Sequence, residues 1–101
     1  MVKEVNDVED VPSNGKVVID FFANWCGPCR TMKPMFEKLE SQFPGIVFLK
    51  VNTDEAEELV SLFRIQSLPT FVCINNGKFT ARIEGADLQG LGRALEALER
   101  A

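Results

Sequence analysis

A chain of 101 residues with 46% hydrophobic and 26% charged residues has the length of one domain and the composition of a soluble globular protein, which excludes the disordered and fibrous classes. Its net charge of -4 comes from 15 acidic and 11 basic residues dispersed along the sequence, so no basic stripe is available to neutralise phosphates and nucleic acid is not an expected partner. No apolar run approaches the roughly 18 residues needed to cross a bilayer, and the opening MVKEVNDVED is acidic where a signal peptide would be basic and then apolar; a cytoplasmic protein starting near Met1, without membrane association, is predicted.

The N-terminal VKEV predicts a short edge strand, and DVEDVPSNG leaves room for a turn or two of helix before Pro12 and Gly15 break it. Residues 16–22, KVVIDFF, are β-branched and aromatic along most of their length, the pattern of a central strand covered on both faces. From Cys26 the period changes. Met32, Met35, Phe36, Leu39 and Phe43 recur at helical spacing, an apolar stripe that FPG at 43–45 brings to an end. IVFLKV at 46–51 is a second buried strand, and strand, helix and strand in this order form a βαβ unit with parallel strands.

Asp54 with Glu57 three residues on reads as a capping box for a second helix, whose short apolar face is Leu59, Leu62 and Phe63. SLPTFVCIN returns to strand. Asn76-Gly77 is the favoured two-residue hairpin turn, so strands near 70–75 and 78–84 are predicted to be antiparallel neighbours. In the last helix Leu88, Leu91, Leu95 and Leu98 line one side, while Gly90 and Gly92 weaken the first turn. With no repeat or linker, the prediction is a single α/β domain over residues 1–101, built on a mixed sheet of about five strands.

The chemistry concentrates at WCGPC, residues 25–29. A Cys-x-x-Cys pair is half of a tetrahedral metal site, but four ligands are needed, and the chain has no histidine and one further cysteine, Cys73. As a structural crosslink the pair closes a very small loop and removes little unfolded-state entropy. A redox dithiol fits better. Cys26 sits where a buried strand gives way to a helix, and the positive end of the helix favours a thiolate, below the free-cysteine value of about 8.5. Cys29 shares the apolar stripe with Met32, so an exposed attacking sulfur and a shielded resolving sulfur are predicted. Asp20 is the second clue: a carboxylate within VVIDFF is raised in pKa by burial and suits proton transfer to and from the inner thiol, with Lys50 on the neighbouring strand as its candidate partner.

FFANWCGPCR, Asp20 six positions before the first cysteine, Pro34 in the helix, Leu68-Pro69-Thr70, Asn76-Gly77-Lys78 and Glu84-Gly85-Ala86 together resemble the thioredoxin family from about residue 16 onward. The resemblance implies a thioredoxin fold, with the βαβ unit and the hairpin flanked by about four helices. It implies that Cys26 is the nucleophile, Cys29 the resolving cysteine and Asp20 the proton carrier, with Gly27 and Pro28 tuning the redox potential. Pro69 is expected to be cis, with Leu68 beside the dithiol, and Trp25, Gly27, Pro28, Leu68, Pro69 and Gly85 to form an apolar docking surface.

The implied activity is general protein-disulfide reduction by a monomeric electron carrier with no bound cofactor. A thioredoxin reductase using NADPH would re-reduce it, and disulfide-containing proteins such as peroxiredoxins would be its substrates. Phe22 and Arg30 stand where relatives often carry other aromatic or basic residues, a difference expected to tune and not abolish activity, and the segment before the dithiol is several residues short. Cys73 lies outside the motif and by alternation points into the core as an inert apolar residue. A glutaredoxin would carry a Pro-aromatic pair between its cysteines and a disulfide isomerase a histidine there. A non-catalytic adaptor of the same fold would not need Cys26, Cys29 and Asp20 together.

Overall fold

The computed structural model describes all 101 residues. Five strands form one sheet: β1 (Lys3–Glu4), β2 (Lys16–Phe22), β3 (Ile46–Asn52), β4 (Thr70–Asn75) and β5 (Lys78–Glu84), in the order β1-β3-β2-β4-β5. β1, β3 and β2 run parallel, and β4 pairs antiparallel with both β2 and β5, so the sheet is mixed as the sequence indicated. β2 lies at its centre because KVVIDFF presents apolar side chains to both faces.

Three α-helices cover the sheet: α1 (Gly27–Gln42), α2 (Glu57–Leu62) and α3 (Leu88–Arg100). About four flanking helices were expected; the remaining one is a single 3-10 turn at Val8–Asp10, where Pro12 leaves too little chain for an α-helix. On one face, Val18, Phe48, Phe71 and Cys73 pack against Met32 and Phe36 of α1 and Leu91, Leu95 and Leu98 of α3. Phe36 anchors that layer, with ring centroids 5.0 Å from Phe48 and 5.5 Å from Phe71. On the other face, Val17, Ile19, Phe21 and Leu49 pack against Val5, against Ala56 at the start of α2 and against Leu59 within it.

Several local expectations change. Met35 is exposed, because Met32 and Phe36 already fill the buried sector of α1. Leu62 and Leu88 are also exposed: α2 is too short for its last turn to reach the core, and Leu88 is the first residue of α3. Asp54 caps nothing. The residue before α2 is Ala56, which makes no side-chain cap bond, and Asp54 is drawn elsewhere.

The Asn76-Gly77 turn is as predicted, with φ of 52° and 80° at its two residues, the left-handed pair that a two-residue hairpin favours. Asn76 Oδ1 accepts the N-H of Gly15 at 2.7 Å, which pins the turn to the loop before β2. In α3 the Asp87 carboxylate accepts the Gly90 N-H at 2.9 Å and caps the helix; a Cβ at Gly90 would collide with that carboxylate, so the glycine makes room for the cap.

Candidate active site

The short loop after β2 delivers Cys26 to the N-cap position of α1, its N-H donating to the Ala23 carbonyl at 3.1 Å. Pro28 lies in the first turn, where its missing N-H costs no helical hydrogen bond. Cys26 and Cys29 are joined as a disulfide with their Cα atoms 5.3 Å apart, and Cys26 Sγ accepts the Cys29 N-H at 3.2 Å. The first turn of the helix therefore directs a backbone donor at this sulfur, which favours negative charge there. No three His, Cys, Asp or Glu side chains converge into a cluster able to hold a metal ion.

Exposure does not separate the two cysteines, contrary to the expected contrast. Cys26 is 5% and Cys29 4% exposed. What separates them is the space each one borders. Cys26 lines a groove of about 570 Å³ together with Trp25, Gly27 and Pro28 on one side and Ile65, Ser67 and Leu68 on the other. Cys29 lines a second cleft of about 420 Å³, shared with Asp20 and Lys50.

The groove assembles chain segments far apart in sequence. The Leu68-Pro69 peptide is cis, and Leu68 packs against Ala23, Cys26 and Cys29. Thr70 Oγ1 donates to the Ser67 carbonyl at 2.6 Å, and the Gly85 N-H donates to the Pro69 carbonyl at 2.8 Å, so β4 and the end of β5 fix this loop. Pro69 is buried and Gly85 half-buried, and neither borders the groove. Trp25 is 69% exposed, yet its ring is oriented: Nε1 donates to Asp54 Oδ2 at 3.0 Å, and the Asp54 N-H donates to Asn52 Oδ1 at 3.0 Å. Asp54, read in the sequence as a helix cap, is thus a site residue. The spacing to Glu57 masked it; an acidic residue just past the C-terminal end of a central parallel strand was the available signal.

Asp20 is 5% exposed, and its Oδ1 has no hydrogen-bond partner among the protein's own groups. Burial raises its pKa from 3.8 to about 7, with the Lys50 ammonium offsetting part of that rise. Lys50 stands directly opposite Asp20 in the β2-β3 register but makes no salt bridge with it. A carboxyl half-ionised near neutrality, bordering the same cleft as Cys29, can accept a proton and return it. Arg30 is held at the helix start by Nη1 donating to the Asn24 carbonyl at 2.8 Å. Cys73 is fully buried in the core, and burial pushes its thiol up to about 11, which leaves it a neutral packing residue at physiological pH.

The family model described as Thioredoxin matches residues 2–97. Among curated relatives, Thioredoxin H-type from Picea mariana is 39% identical over 93 residues, 92% of this chain and 74% of that one. The peptide-N(4)-(N-acetyl-beta-glucosaminyl)asparagine amidase of Caenorhabditis briggsae is 44% identical over 85 residues, covering 83% of this chain but only 14% of that much longer protein. Among solved structures, Fasciola hepatica thioredoxin superimposes with a TM-score of 0.91 at 33% identity, over 95% of this chain and 98% of that one.

Proposed function

The chain belongs to the thioredoxin family, and from that premise we propose that it is a general protein-disulfide reductase working through the Cys26/Cys29 pair. The observation that carries the reading is the placement of the two sulfurs: one borders an apolar groove able to receive a substrate, the other a cleft holding a buried carboxyl.

The Cys26 thiolate attacks one sulfur of a substrate disulfide seated between Trp25 and Leu68. A bond forms between Cys26 and that sulfur, the substrate's own S–S bond breaks, and its second sulfur leaves as a thiolate that takes a proton from water. Cys29 passes its thiol proton to the Asp20 carboxylate, and the resulting thiolate attacks Cys26 Sγ. The Cys26–Cys29 bond forms as the mixed disulfide breaks, and the remaining substrate sulfur leaves and is protonated. Two electrons have then passed from the dithiol to the substrate. Gly27 and Pro28 set the potential of the pair by fixing the first turn of α1, and Pro69 and Gly85 hold the Leu68 loop in place for an extended substrate segment.

The 101 residues act as one monomeric domain that carries electrons in the cytoplasm. A thioredoxin reductase using NADPH restores the dithiol, and disulfide-bearing proteins, peroxiredoxins among them, receive its electrons. The amidase relationship concerns only the 85 matched residues, a small part of that enzyme, and lends this chain no amide hydrolysis. A non-catalytic adaptor accounts poorly for Asp20, since holding an ionised carboxylate in a desolvating site lowers stability with no benefit to simple binding. The reading is tested by reduction of an insulin-type disulfide in the presence of dithiothreitol: the wild type accelerates it and Cys26→Ser does not, and equal rates for the two would remove the reductase function.

A further inference from the structure

The redox cleft has a third charged side chain on the sheet that the reaction itself does not use. Glu4 of β1 lies opposite Lys50 in the β1-β3 register, and Lys50 lies opposite Asp20 in the β3-β2 register. In-register partners on parallel strands share a face. Glu4, Lys50 and Asp20 therefore form one row across three strands on the α1 side of the sheet, and all three line the same cleft beside Cys29. Val2 confirms the orientation of β1, because it packs into the core layer beneath α1 while Lys3 pairs with Leu49 of the opposite layer.

We propose that Glu4 is a positioning residue of the redox site: it draws the Lys50 ammonium toward the sheet edge and so sets how strongly Lys50 stabilises the Asp20 carboxylate. Lys50 forms a salt bridge with neither carboxylate, so its flexible stem leaves the ammonium free to be divided between them. Glu4 is exposed and Lys50 half-buried, which keeps the pair responsive to salt. The direct effect of Glu4 and its effect through Lys50 act in the same sense: a negative charge at the edge disfavours ionisation of Asp20, and so does a lysine pulled away from it. The other charged groups on this cleft, Arg30 and Lys33, come from α1; Arg30 is engaged with the Asn24 carbonyl, and Lys33 adds a second cation whose pull on Asp20 has the same sense as that of Lys50.

The inference rests on the proposed proton-carrier role of Asp20 for its catalytic consequence, but its test reads the carboxyl itself. The Asp20 side-chain carbon is titrated by NMR in wild type, Glu4→Gln, Glu4→Asp, Lys50→Gln, the Glu4→Gln/Lys50→Gln double variant and Lys3→Gln. Glu4→Gln lowers the Asp20 midpoint by about half a pH unit at low ionic strength, the size expected of a partly solvated pair, and about 1 M salt removes most of the difference. Glu4→Asp keeps the wild-type midpoint, Lys50→Gln raises it, and in the Lys50→Gln background Glu4→Gln loses most of its effect. Lys3→Gln, on the other face, changes nothing. An unmoved or raised midpoint in Glu4→Gln overturns the proposal, as does a shift of equal size in either direction in Lys3→Gln or a full Glu4→Gln effect without Lys50. A midpoint that falls as stated while the pH profile of mixed-disulfide resolution stays fixed would instead count against Asp20 as proton carrier and leave the role of Glu4 standing.

Discussion

Asp20 ties the stability of the fold to pH through a single buried carboxyl. Its carboxyl is neutral and well tolerated in the fold at low pH, but its folded-state pKa of about 7 lies above the unfolded value of 3.8. The stabilisation from that difference is complete below about pH 4 and is lost as the pH rises through 7, after which the protein holds an ionised, desolvated carboxylate. Asp20→Ala is therefore expected to leave the midpoint of thermal unfolding nearly unchanged at pH 4 and to raise stability by roughly 2–4 kcal/mol at pH 9, which circular dichroism at the two pH values reads. Asp20→Asn keeps the shape without the titration, and stopped-flow measurement of mixed-disulfide resolution should give a slower step that no longer changes through pH 7. The burial of Asp20 was legible because a carboxylate interrupts an otherwise apolar central strand. The bond from Trp25 to Asp54 was not, since it joins residues whose proximity depends on where β3 ends.

At the scale of elements, the sequence pattern named each strand and helix because apolar periodicity reports which face is covered. It failed at helix ends, where the deciding groups are backbone atoms and short polar side chains. Gly90 read as a weakness of α3, whereas its missing side chain admits the Asp87 cap. Urea denaturation should show Asp87→Ala losing about 1 kcal/mol, the usual worth of an N-cap. Gly90→Ala, which in an open helix position gains up to about 1 kcal/mol, should gain nothing here and should recover that gain once Asp87 is alanine. The same reasoning explains the stripe on α1. Met35 matched the spacing, but two flanking residues already occupied the buried sector, and periodicity alone does not say where a buried face stops.

For the whole molecule, the site depends on layers that take no part in the chemistry. The αβα layering was legible from the alternation of strands and helices, and the dithiol from its motif. The spaces facing the two sulfurs were not, because the groove joins the end of β2 to the loop before β4, and the cleft joins β1, β2 and β3 to α1. Leu95, fully buried between α3 and the sheet and remote from both spaces, should separate fold from function: Leu95→Ala loses about 2–5 kcal/mol of stability in chemical denaturation while the folded protein keeps the disulfide-exchange rate of the wild type. The central claim is that Cys26 attacks and Cys29 resolves, and intact mass spectrometry of single-cysteine variants mixed with a disulfide substrate addresses it most directly. Cys29→Ser should accumulate a covalent adduct through Cys26 that dithiothreitol releases, and Cys26→Ser should accumulate almost none; adducts of equal yield, or formed only through Cys29, would contradict the account.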